Sequence, residues 1–119
     1  MLKKGNTMYF ANAGDSRAVM CRSGKAIALT IDHKPTSESE RKRIEAAGGF
    51  VSEIGGICRV NGNLNLSRAI GDLRYKTNDK IAPSKQIITA QPDVYKYALK
   101  ADDEFVILAC DGIWDCMTN

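Results

Sequence analysis

Two aspartates, Asp111 and Asp115, follow directly on the apolar run Phe105-Val106-Ile107-Leu108-Ala109-Cys110. A strand of that composition reads as fully buried, and it delivers two carboxylates, at i and i+4, to one end of a sheet. Charge in such a place is poorly tolerated unless a cation or a hydrogen-bond network offsets it. A second strand-like run, Thr7 to Ala13, leads into Gly14-Asp15-Ser16-Arg17. Either motif alone has an ordinary explanation, because Asp beside Gly is common turn chemistry. Three carboxylates at strand ends (Asp15, Asp111 and Asp115) are harder to dismiss. Ligation by oxygen alone suits hard cations, so the set favours magnesium or manganese over zinc or copper.

The elements that must position these groups are mostly strands. Lys4-Gly5-Asn6 signals a turn with Met1-Leu2 on one side and Thr7–Ala13 on the other. Arg17–Arg22 and Lys25–Thr30 flank Ser23-Gly24, a tight hairpin turn. This opening reads as a β-meander. Ser37 and Glu40 have capping-box spacing, which predicts a helix over about 38–47 that Gly48-Gly49 stops. Its apolar stripe is thin, mainly Ile44 and Ala47, so the helix is expected on the surface. Phe50–Ile54 and Ile57–Val60 are short strands joined by Gly55-Gly56, and Asn61-Gly62 predicts a further hairpin into Asn63–Ser67. From Arg68 to about Ile88 periodicity fades, which marks a functional flap or an unstructured piece. Val94–Leu99 is expected at a sheet edge and Glu104–Cys110 as a central strand.

Bulk composition narrows the function. The chain has 119 residues, one domain or a piece of one, with 17 basic and 14 acidic side chains. Its densest basic stretch, Arg41-Lys42-Arg43, lies among Glu38, Glu40 and Glu45, which is the solvated side of a helix rather than a nucleic-acid footprint. No apolar stretch approaches the roughly 20 residues of a membrane span, and the first residues lack a signal-peptide core. Nucleic acid and membrane are therefore not expected partners. Cys21, Cys58, Cys110 and Cys116 form no Cys-x-x-Cys, and His33 has no Cys at ligand spacing. Free thiols in a reducing compartment, cytoplasmic or nuclear rather than secreted, are expected.

Several motifs in order make a resemblance specific. Tyr9-Phe10-Ala11-Asn12-Ala13-Gly14-Asp15-Ser16-Arg17, Asp32-His33-Lys34-Pro35, Glu45-Ala46-Ala47-Gly48-Gly49, Arg59-Val60-Asn61-Gly62, Ser67-Arg68-Ala69-Ile70-Gly71-Asp72 and Ile107-Leu108-Ala109-Cys110-Asp111-Gly112-Ile113-Trp114-Asp115 resemble the metal-dependent, type 2C serine/threonine protein phosphatases. The resemblance implies an α+β fold, part of an α-β-β-α sandwich of antiparallel sheets in one catalytic domain. It implies Mg2+ or Mn2+ as cofactor, with Asp111 on the metal centre and Asp15 and Asp115 at a further, weaker position. It also implies a phosphoprotein substrate and a flap over about 73–88 that tunes substrate choice.

The same resemblance sets expectations about what is absent. The family's Asp-Gly-His-Gly motif, its phosphate-binding arginine and its Asp-Asn motif have no counterpart here, and His33 matches a loop motif instead. No residue is therefore assigned as catalytic, and this chain alone is expected to have little or no activity. The alternative is a non-catalytic interaction module that keeps the scaffold. Arg68 and Asp72 are expected as a buried pair at the flap's base in preference to substrate contacts. Trp114 is expected to pack beneath the metal loop. Unpaired sheet edges and an uncovered apolar face predict self-association as a dimer.

Overall fold

The computed structural model describes all residues, Met1–Asn119, and they fall into two compact units. One comprises Met1–Asp32 with Pro92–Asn119, and the other is His33–Gln91. In chain order the elements are β1 (Leu2–Lys4), β2 (Thr7–Asn12), β3 (Arg17–Arg22), β4 (Lys25–Ala28), α1 (Glu38–Ala46), β5 (Val51–Ile54), β6 (Ile57–Val60), β7 (Asp93–Ala98), β8 (Asp103–Ala109) and α2 (Asp111–Trp114). Every strand pairing is antiparallel. The α+β expectation holds.

The first unit carries two three-stranded sheets, ordered β1-β2-β7 and β4-β3-β8. Alternation along β2 turns Met8, Phe10 and Asn12 inward, and β3 contributes Ala18 and Met20 to the same core. Leu29 closes this cluster, with Ile27, Tyr95, Tyr97 and Val106 packed against it. Phe10 meets Tyr97 edge-to-face at 5.9 Å between centroids. The Tyr97 hydroxyl donates to the Leu29 carbonyl at 2.8 Å, tying one sheet to the other. The turn between β3 and β4 has Ser23 and Gly24 at φ 50° and 69°. Positive φ at both positions gives the tight reversal that matches strand twist.

Two expectations for this unit are corrected. The opening is not a single meander, because β2 and β3 belong to different sheets. The crossing occurs at Ala13–Ser16, where Gly14 takes φ 134°. The buried Asn12 amide pins it by donating to the Gly14 carbonyl at 3.2 Å and the Ile31 carbonyl at 3.1 Å. Nor is β8 a buried central strand. It lies at a sheet edge, and Phe105, Ile107 and Leu108 are about half exposed. An apolar run shows what a strand would gain from cover, not whether cover is present.

In the second unit α1 buries Glu40 and Ile44, one turn apart on one face. Ile44 joins Val60, Tyr75 and Ile88 in a second core, flanked by Val51, Leu64, Ala69 and Ile87. The capping box is absent: Ser37 caps through no side-chain bond, and Glu40 turns into the unit instead. The expected strand over Asn63–Ser67 is reduced to one bridge between Val60 and Leu64. The segment over 73–88 is irregular, as anticipated, with short 3-10 turns at Leu73–Tyr75 and Pro83–Lys85. No helix is long and apolar enough to cross a membrane. All four cysteines are free thiols.

Candidate metal-binding end and the Glu40 hub

The pairing of β3 with β8 decides where the acidic residues gather. Arg17 stands opposite Ala109, followed by Ala18 opposite Leu108 and Val19 opposite Ile107. Asp15 lies two residues before Arg17 and Asp111 two residues after Ala109, so both flank the same end of this ladder. Both residues therefore belong to one end of the sheet. Asp15 is buried, Asp111 half-buried and Asp115 exposed.

Asp111 opens α2, and the Asp115 N–H donates to its carbonyl at 2.7 Å, a helical i, i+4 link. Trp114 anchors this turn: its indole N–H donates to the Ala109 carbonyl at 2.8 Å. The Arg17 guanidinium lies 5.3 Å from the centre of the Trp114 ring. Trp114 thus packs against the last residue of β8, close to its expected place. No hydrogen bond or ion pair within the chain engages the Asp111 or Asp115 carboxylate.

Asp32, in the loop after β4, is a further carboxylate at this end. Arg17 holds it in a fork, Nε to Oδ1 at 3.0 Å and Nη2 to Oδ2 at 2.8 Å. That hydrogen bond raises the Arg17 pKa despite the partial burial of the group. The signal available in sequence was the arginine two residues after Asp15. A planar guanidinium beside a strand end favours bidentate pairing. Asp32 is therefore neutralised inside the protein. The all-oxygen donor set fits a hard divalent cation in its chemistry. In number it falls short, because no three His, Cys, Asp or Glu side chains come together closely enough to hold a metal ion.

The second unit holds a different arrangement. Glu40, 2% exposed, accepts from Arg68 Nη2 at 2.7 Å, Arg43 Nη1 at 2.6 Å and the Ser67 hydroxyl at 2.7 Å. Burial alone would raise its pKa, but hydrogen bonds from Arg68, Ser67 and Arg43, with the Arg43 charge, bring it down to about 2. Arg43 also donates to the Ser67 carbonyl at 2.5 Å and the Gln86 carbonyl at 3.2 Å. Arg68 Nη1 reaches the Gln91 carbonyl at 3.0 Å. One carboxylate therefore staples the two ends of the 69–90 segment to α1. This corrects the expected Arg68–Asp72 pair. Asp72 instead takes φ 50° and starts the 3-10 turn at Leu73–Tyr75. The sequence reading missed the Glu40 role because Ser37 and Glu40 satisfy a local rule at the same spacing.

With this geometry established, likeness to known proteins becomes informative. A family model described as protein phosphatase 2C matches residues 1–119. Protein phosphatase 2C homolog 3 of Schizosaccharomyces pombe is 58% identical over 119 residues, all of this chain and 28% of that protein. Protein phosphatase 2C homolog 2 of Saccharomyces cerevisiae is 56% identical over 118 residues, 98% of this chain and 25% of that one. The chain thus spans about a quarter of the length of these two curated relatives. A crystal structure of a phosphatase from a pathogenic strain of Toxoplasma gondii superposes with a TM-score of 0.82 at 41% identity, covering 92% of this chain and 32% of that one. A Caenorhabditis elegans sex determining protein gives 0.84 at 36% identity, covering 95% and 26%.

Proposed function

Because this chain belongs to the protein phosphatase 2C family, a family of serine/threonine protein phosphatases, we propose that it contributes one side of a centre that hydrolyses phosphoserine and phosphothreonine in proteins. Both units then form part of a single catalytic domain. The observation that carries the reading is the β3–β8 register, which brings Asp15 and Asp111 to the same sheet end. Asp15, Asp111 and Asp115 would hold Mg2+ or Mn2+ together with ligands from outside this chain. When bound, such ions supply charge stabilisation for the phosphoryl oxygens and a more acidic water. The chain's own residues do the positioning. Gly14 and Asn12 fix the crossing that presents Asp15, while Trp114 secures the turn that carries Asp111 and Asp115.

On this reading the isolated chain releases no phosphate from a small ester, since its carboxylates make no three-ligand cluster by themselves. Exchanging residues 1–119 for the matching segment of the S. pombe relative tests competence directly. The chimera, supplied with Mn2+ and a phosphoserine peptide, is expected to turn over at a rate near that of the relative. Asp111→Asn in the chimera is expected to cost about a hundredfold or more. An active Asp111→Asn chimera would remove Asp111 from the centre. A well-folded but inactive wild-type chimera would favour the alternative of a non-catalytic scaffold. We also propose self-association of the isolated chain, because β8 leaves one ladder edge and several large apolar side chains in water. A monomeric mass by light scattering would refute that.

A further inference from the structure

Four positions of α1, Ser39, Lys42, Arg43 and Ala46, recur at i, i+3, i+4 and i+7 and so share one helix face. With Ile81 and Lys85 they line a cleft of about 450 Å3 between the helix and the 73–88 segment. Every charged side chain in that lining is cationic. Both walls are held rigidly. On the helix side the Arg43 guanidinium is fixed by Glu40, the Ser67 carbonyl and the Gln86 carbonyl. On the other side the buried Gln86 amide donates to the Asn78 carbonyl at 2.6 Å and the Ile81 carbonyl at 3.3 Å. Its oxygen accepts from the Asn78 N–H at 3.2 Å, so 78–86 is closed by a side chain within its own loop. Pro83 starts the turn that carries Lys85, and the Thr89 hydroxyl donates to the Pro83 carbonyl at 3.0 Å.

We propose that this cleft docks an acidic peptide segment, resting on the phosphatase reading for its role as a subsite for acidic residues of the protein substrate. Lys85 forms no ion pair within the chain and supplies one cation. Lys42 supplies the other. Its present partner is Glu38 at 2.5 Å, and that pair is open to water with side-chain exposures of 73% and 81%. Such a pair is worth little and exchanges readily for an incoming carboxylate. The Ser39 hydroxyl is available as a donor, and Ala46 and Ile81 provide an apolar strip for the peptide's non-polar side chains. Arg43 lines the cleft with its hydrogen bonds already taken and its charge paired with Glu40. Preorganised walls keep the ordering cost of binding low.

The test is fluorescence anisotropy of the whole chain with a labelled ten-residue peptide of Asp, Glu and Leu, alongside an oligothymidylate of similar charge. Saturable peptide binding that weakens with added salt is expected. Lys85→Glu should weaken it about tenfold, and Lys42→Glu with Lys85→Glu further still. Lys96→Glu, on β7 and outside the cleft lining, should leave the affinity within about twofold. Absence of saturable binding would overturn the proposal, as would equal loss from Lys96→Glu or equally tight binding of the oligonucleotide. Circular dichroism checks that these exposed variants remain folded. The assay needs no turnover, so its failure leaves the chimera result untouched, and an inactive chimera leaves the docking result untouched.

Discussion

Glu40 and Asp111 are both carboxylates in sites that a sequence reader would flag, and their surroundings could hardly differ more. Glu40 is buried and meets two guanidiniums and a hydroxyl, so its charge is met entirely within the second unit. Asp111 stands half-exposed at a strand end with no partner for its carboxylate in the chain, and the exposed Asp115 carboxylate one turn later has none either. The contrast separates two uses of buried or half-buried charge. A carboxylate whose lone pairs are already filled holds structure together, and one left open at a sheet end is ready for a cation from outside. Family motifs do not make that distinction. Hydrogen bonding does.

The largest expected effect breaks the Glu40 side. Glu40→Ala strands the charges of Arg43 and Arg68 in a poorly hydrated site and should cost about 3–5 kcal/mol in urea unfolding. Hydrogen exchange should localise the loss to His33–Gln91, with β2 and β3 protected more nearly as before. Next is acid sensitivity. The Glu40 carboxyl lies near 2 in the folded chain against an ordinary 4.5. A depressed carboxylate gives its full stabilisation above the unfolded pKa and loses it as pH falls toward the folded value. Stability of the second unit should therefore drop between pH 4.5 and 2, and Glu40→Gln should flatten that dependence. A smaller effect is expected at Arg17→Met, which removes the fork to Asp32 and the contact with Trp114. It should cost about 1–3 kcal/mol and increase exchange at the α2 amides. Smallest of all is Asp111→Asn, expected to change stability by no more than about 0.5 kcal/mol. A large destabilisation there would mean that Asp111, like Glu40, serves the fold.

Local signals were readable and long-range ones were not. Glu38–Ala46 and the Val51–Val60 hairpin announced themselves through spacing, caps and turn glycines, all of which act within a few residues. The Glu40 hub depends on Ser67 and Arg68, which no period along the chain connects to α1. It was hidden further because Ser37 and Glu40 satisfied a capping rule. The placement of Asp15 and Asp111 at strand ends was legible because both residues follow apolar runs. Their register was not, since an antiparallel pairing between distant strands leaves no local mark. The run Phe105–Cys110 promised burial, yet edge position leaves half of its large side chains in water. Hydrophobicity measures the benefit of cover and says nothing about which surface provides it.

The most direct test of the distinction is Mn2+ titration of the S. pombe chimera, which supplies the ligands from outside this chain, followed by amide NMR, where the paramagnetic ion broadens signals near its binding site. The account predicts early, selective broadening at residues 14–16 and 110–116, lost in Asp111→Asn, with no second centre of broadening at Glu40. Broadening that begins around Glu38 and Glu45, or that Asp111→Asn leaves unchanged, would contradict it.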